Sequence, residues 1–170
     1  MVEVKVWSLA VDEKNQFPVV ILQSLDGSKR LPIWIGPPEA SAIAMEIAGK
    51  KFQRPLTHDL LVSILAGLGA KVRRVEITDL RENTFYAKIY LEANGELLAI
   101  DARPSDSLAL ALKSKARVFV APHLFAGEID SLLQSESAPP AEEQSEEERV
   151  AELKSFLDNL NPKDFGKFSF

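Results

Sequence analysis

The sequence contains no cysteine among its 170 residues. That excludes a disulfide framework, a thiol nucleophile and a cysteine-ligated zinc site, and it fits a reducing compartment. Histidine is limited to His58 and His123, too few for a multi-histidine metal centre. No apolar run approaches the roughly 18 residues that a membrane-spanning helix needs, so no membrane association is expected. The first residues, MVEVKVWSLAVDEK, carry an acid at position 3 and only a short apolar stretch, which does not read as a secretory signal. A cytoplasmic protein is the expectation. No Walker loop, GxGxxG, HExxH or GxSxG occurs, so the best-marked nucleotide, zinc-protease and serine-hydrolase signatures are missing.

A basic surplus is missing too. The net charge is −5, but it is unevenly placed: Gln134 to Phe170 holds nine acids and four bases, and the remaining 133 residues hold 16 of each. The acidity belongs to the tail, and the body is neutral. Nucleic-acid binders usually carry a basic surplus; here only local clusters exist, at Lys50, Lys51 and Arg54, at Lys71, Arg73 and Arg74, and at Lys113, Lys115 and Arg117. Solvated helix ends and strand faces give such clusters without further function.

What is present is an ordinary globular composition, 46% hydrophobic and 26% charged, enough to bury a core in one domain. The patterning predicts α+β architecture: two antiparallel β-meanders with helices packed against them, and a C-terminal helical tail. Val2–Ala10, Pro18–Leu22 and Leu31–Ile35 read as the first three strands, with Pro32 pointing to an edge. Gly36-Pro37-Pro38 then opens a small-residue helix over Ala40–Ala48, ended by Gly49. A second helix runs from Thr57, a candidate cap, through Leu68, with Leu60, Leu61, Ile64, Leu65 and Leu68 on one stripe. Val72–Thr78, Thr84–Leu91 and Leu97–Asp101 form the second meander. Its middle strand alternates Phe85, Ala87, Ile89 and Leu91 against Tyr86, Lys88 and Tyr90, and Asn94-Gly95 is the strongest turn signal. Pro104 starts a third helix, Val118–Val120 is a short last strand, and Pro122–Leu133 is compatible with helix. Leu31–Ala44 and Leu97–Leu110 share one pattern of apolar strand, break, proline, acid and apolar helix. That echo suggests two ββα-type halves, duplicated and packed face to face.

The domain organisation read from composition is a globular domain over 1–133, an acidic linker over 134–147, and an amphipathic helix with its tail over 148–170. Val150, Leu153, Phe156, Leu157 and Leu160 form the stripe of that last helix.

Polar residues capable of chemistry concentrate at three junctions before helices. These supply carboxylates at Glu39, Asp59, Asp101 and Asp106, guanidinium groups at Arg54 and Arg103, hydroxyls at Thr57 and Ser105, and the imidazole of His58. A metal-assisted phosphodiesterase needs this inventory. Mg²⁺ or Mn²⁺ takes carboxylate oxygens, with Glu39, Asp101 and Asp106 as candidate ligands. Arg54 and Arg103, with Thr57 and Ser105, would hold phosphate. His58, Asp59, Asp101 and Asp106 are the candidate catalytic groups. A structural reading stands beside it. Acids in first helical turns offset the helix dipole by about 0.3–1 kcal/mol each, and the arginines would pair with them.

Taken in order, LPIWIGPPEASAIA, RPLTHDLLVSIL, NTFYAKIYL and IDARPSDSLALAL resemble the bifunctional nuclease domain family over about residues 2–133. The resemblance implies a self-associating α+β domain, a homodimer or higher oligomer, with nucleic acid as partner and both RNA and DNA as substrates. Its signature positions here are Trp34, Gly36, Glu39, Arg54, Pro55, Thr57, His58, Asp59, Asp101, Arg103, Pro104, Ser105 and Asp106. The UvrB/UvrC-type motif that ends some relatives is not found; the chain closes in NPKDFGKFSF. One geometry separates the two readings. A metal nuclease gathers at least two of these carboxylates in an open cleft. A non-enzymatic scaffold, with its tail helix as the binding element, disperses them or locks them in ion pairs.

Overall fold

Two three-stranded meanders, each followed by a helix, form the body of the chain. The computed structural model describes residues 1–12 and 16–125. The first meander is β1 (Val2–Val11), β2 (Pro18–Ser24) and β3 (Arg30–Trp34), followed by α1 (Pro37–Ile47). Then come α2 (Thr57–Gly67), the second meander β4 (Lys71–Arg81), β5 (Thr84–Ala93) and β6 (Glu96–Ala102), α3 (Pro104–Ser114), β7 (Arg117–Val120) and a 3₁₀ turn over Pro122–Phe125. The expected α+β class is borne out. The C-terminal helix expected over 148–170, the linker before it, and the end of the helix expected over Pro122–Leu133 lie outside the described residues.

All seven strands belong to one sheet in the order β3-β2-β1-β7-β4-β5-β6. The halves therefore do not stack face to face. They lie side by side, and β7 joins them, antiparallel to β1 and parallel to β4. Sequence alternation cannot reveal this, because a four-residue strand reports its faces but not its neighbours. The duplicated order survives: meander then helix, twice. Pro32 lies on the edge strand β3, as its missing N–H requires. The β5–β6 turn has positive φ at both Asn94 and Gly95 (53° and 82°), the type I′ geometry. The β4–β5 turn does the same at Glu82 and Asn83 (47° and 59°), without a glycine to announce it.

One core runs through both halves. Leu22, Leu31, Ile33 and Ile43 come from the first, and Val75, Ile77, Ala87 and Leu108 from the second. The alternation of β5 is borne out, with Ala87 and Ile89 buried and Lys88 exposed. α3 buries Leu108 and Leu110 together with Ser105, Ser107, Ala109 and Ala111, and these last four, being small, let it pack closely on α1 and the sheet. α2 is different: it has no buried residue. Most of its expected apolar stripe faces outward, with Leu60, Ile64 and Leu68 at 50%, 48% and 72% exposure. Only Val62 and Leu65 pack partly against the core. Among the described residues, no helix is long and apolar enough to cross a membrane.

Candidate functional site

Three helix starts meet on one side of the molecule. α1 begins at Gly36 with Pro37 and Pro38 in its first turn, where the missing N–H groups cost nothing, and α3 begins at Arg103 with Pro104 next. α2 begins after Leu56. Thr57, the expected cap, is instead an exposed first helical residue; the Leu56 N–H donates to Asp59 Oδ2 at 3.0 Å, so Asp59 does the capping. Ser105, expected to hold phosphate, is placed differently. It is buried inside the first turn of α3.

The side chains of these starts form a continuous chain. His58 Nε2 lies 3.3 Å from Asp106 Oδ1. Arg103 Nε donates to Asp106 Oδ2 at 2.6 Å, and its terminal nitrogen lies 2.9 Å from Glu39 Oε1. Gly36 makes room for this: a Cβ there would lie 2.3 Å from Glu39 Oε2. Burial works against the Asp106 carboxylate, but hydrogen bonds from Arg103 and His58 outweigh it and hold its pKa below the usual value. The same pairing with Asp106 raises the Arg103 pKa. The His58 ring is largely enclosed, with a side-chain exposure of 14%, whereas the Arg103 side chain is 66% exposed. The guanidinium thus closes the network and presents its outer edge to solvent.

Asp59 joins a second network. Lys113 Nζ donates to Asp59 Oδ1 at 2.6 Å and to Glu46 Oε2 at 3.0 Å. The Lys113 bond is the main cause that lowers the Asp59 pKa. Burial disfavours the Lys113 charge, yet the two carboxylates raise its pKa overall. Lys113 reads in the sequence as one of a solvated basic cluster, but its side chain is only 10% exposed. The available signal is spacing: Asp106 and Lys113 are seven residues apart, two helical turns, on one face of α3. That face meets α2. Glu46 carries no comparable signal.

Two expected site residues stand apart. Asp101 lies opposite Lys88 on β6, on the other sheet face from Ile100 and Ile89, and is exposed. Arg54 lines, with Lys50 and Lys51, a cleft bordered by the Lys113 network and not by Asp106. Among the described residues, no three His, Asp or Glu side chains gather as a set that could hold a metal ion. Glu39 and Asp106 are bridged by Arg103, which pairs with both. The donor set for Mg²⁺ or Mn²⁺ is therefore not assembled in this arrangement. Trp34 is remote in role: its Nε1–H donates to Asp12 at 2.9 Å.

The bifunctional nuclease domain family matches residues 20–129, a span that holds every member of both networks. The chain is similar to an uncharacterized protein of Mycobacterium tuberculosis, Rv1829, at 40% identity over 165 residues, 97% of this chain and 98% of that protein. It is also similar to Bifunctional nuclease 1 of Oryza sativa subsp. japonica, at 26% over 105 residues, and of Arabidopsis thaliana, at 24% over 111 residues. Those matches cover 59% and 63% of this chain, and 32% and 34% of the plant proteins.

Proposed function

The chain belongs to the bifunctional nuclease domain family, and from that premise we propose that it hydrolyses phosphodiester bonds of RNA and DNA where its three helix starts meet. The observation that carries the reading is the unbroken His58–Asp106–Arg103 chain at that point. Helix N-termini present positive partial charge and favour a bound phosphate. The outer edge of Arg103 supplies further N–H donors to phosphate oxygens. With Nε2–H donating to Asp106, the other ring nitrogen of His58 is an acceptor. It takes a proton from an attacking water as the water oxygen bonds to phosphorus; the P–O ester bond breaks, the leaving oxygen takes up a proton from solvent, and the imidazolium returns its proton to solvent. Asp106 holds the imidazole tautomer and the guanidinium together.

The proposal extends to Mg²⁺ or Mn²⁺. An ion held by Glu39 and Asp106 would take the place of the guanidinium between them, so it must compete with Arg103. Asp101, open to solvent on β6, is the other candidate ligand. Self-association is proposed as well. β6 is an edge strand of seven residues with no proline, and it exposes Leu97, Leu98 and Ile100. Such an edge is a template for another strand, and α2 exposes further apolar surface. A cytoplasmic location, supported by the absence of cysteine, belongs to the same proposal.

The test is cleavage of labelled single-stranded RNA and DNA with Mg²⁺, with Mn²⁺ and with EDTA, for the native protein and for His58→Ala, Asp106→Asn and Asp101→Ala. Activity lost in folded His58→Ala and Asp106→Asn supports the site. A metal-dependent loss confined to Asp101→Ala moves the chemistry to β6. A second reading has one observation in its favour: the carboxylates of both networks are closed on Arg103 and Lys113. That is the pattern of a non-enzymatic oligomeric scaffold, and no cleavage under any condition would select it.

A further inference from the structure

The cations near the helix starts fall into two groups. Arg103 and Lys113 are each closed on two carboxylates. Lys50, Lys51 and Arg54 are exposed and, among the described residues, form no ion pair. All three line one cleft of about 480 Å³ between the end of α1 and the start of α2. Asp59 and Glu46 also line it and share Lys113, which offsets one of their two charges. In a body whose charges sum to zero, the cleft has four cationic and two anionic lining residues, a local surplus of two positive charges among the described residues.

Phe52 stands among these cations, lines the same cleft and is 51% exposed. It is not part of the hydrophobic core. A ring half open to solvent, flanked by cations that have no ion partner among the described residues, has a poor structural rationale: half of it stays wet, and the neighbouring charges repel one another. Both features suit one ligand. Successive phosphates answer the cations, and an unpaired base stacks on the ring. A duplex would offer the phosphates but not a free base face. A peptide with acidic side chains would leave the ring without a flat partner.

We infer that Lys50, Lys51, Phe52 and Arg54 form a binding track for single-stranded nucleic acid, separate from the His58–Asp106 pair. The inference rests on the nuclease reading for its ligand class. Its position fits that reading. The cleft borders Asp59, the residue after His58, and it includes Lys113, which is two turns from Asp106, about 10 Å along α3. A strand lying in the cleft is held a short distance from the proposed scission point. The track has no base-edge code, so it binds RNA and DNA alike.

The experiment is fluorescence anisotropy with a short labelled oligothymidylate and with the matching duplex, in EDTA, across a salt series. Phe52→Ala is expected to weaken single-strand binding about 5- to 100-fold and duplex binding far less. The triple variant Lys50→Gln, Lys51→Gln, Arg54→Gln is expected to reduce the salt slope by about 2, near 0.7 for each phosphate that is no longer neutralised. Lys5→Gln, at an exposed position on β1 outside both sites, should bind like the native chain. All four track positions are exposed, so the fold is not at stake. Native-like binding and salt slope in both track variants, or no binding by the native chain, overturns the inference. Binding through the track without cleavage supports it while the proposed chemistry fails.

Discussion

Replacing Lys113 by methionine tests how α2 is held. α2 buries none of its residues, so its attachment depends on Val62, Leu65 and the two polar contacts that α3 makes with its first turn. One of these is the Lys113–Asp59 pair at 2.6 Å. Removing one partner of a fully buried pair costs about 3–5 kcal/mol, because the other charge is stranded. Here the lysine is enclosed, but Asp59 and Glu46 keep 34% side-chain exposure each, so water recovers part of that cost. Methionine also restores apolar packing along the stem. The net expectation is about 2 kcal/mol, between the worth of a charge-assisted hydrogen bond and that of a buried pair. The loss is local. Hydrogen exchange of the α2 amides should accelerate about 30-fold while those of β4 and β5 change little. The sign with pH follows from the shifts. Asp59 is lowered from 3.8, so its contribution is present above that value and is lost as pH falls through its folded pKa. Lys113 is raised from 10.5, so its share is present below 10.5 and lost only as pH rises past its folded value. Native and variant proteins should therefore differ most near neutrality and converge in strong acid. Equal α2 exchange at pH 7 in the two proteins would refute the clamp, and Lys115→Met, at an exposed position, is the control.

Three further outcomes are expected. Asp106→Asn keeps the size of the side chain but loses the charge that binds Arg103 and His58, and should lower kcat about 100- to 1,000-fold with a smaller change in KM; equal loss in kcat and gain in KM would instead mark a binding role. Gly36→Ala places a methyl against the Glu39 carboxylate, whose flexible end swings off Arg103; stability should fall by less than about 1 kcal/mol by urea titration, and KM should drop as the guanidinium is freed for phosphate. Ile100→Lys, at a position 44% exposed on the free edge strand, should lower the solution mass measured by light scattering if β6 joins two copies, whereas an unchanged oligomer would place the contact elsewhere.

The parts of the fold that read directly from the sequence are those decided locally. The alternation of Phe85, Ala87, Ile89 and Leu91 and the Asn94-Gly95 turn needed only a strand period and a positive-φ preference. The helix start after Gly36 followed from two prolines. What did not read through was decided by partners distant in sequence. α2 has a good apolar period, yet periodicity states that a face is apolar and not that anything covers it; Leu60, Leu61, Ile64 and Leu68 are exposed, and of the expected stripe only Leu65 joins His58, Asp59 and Val62 in docking the helix. Lys113 looks solvated in a string of charges because the carboxylates that enclose it are 54 and 67 residues away. β7 could be found as a strand, but not as the one that joins the halves.

The same distinction governs the site. Residue types at the junctions identified which groups were chemically capable, and the helix starts explain why Glu39, His58 and Asp106 meet. Their arrangement changes what they can do. Arg103 takes the place between two carboxylates that a cation would occupy, so the assembled unit is an imidazole–carboxylate–guanidinium chain more than an acidic cage. Such a chain can accept one proton and hold one phosphate, but its own surroundings supply little affinity for a polymer, since most of its charges are already satisfied. On the proposed track, Lys50, Lys51 and Arg54, which have no ion partner among the described residues, would supply what it lacks. A neutral body can then engage a polyanion without a net basic surplus, because affinity depends on the cations left free where the strand lies, and not on their total.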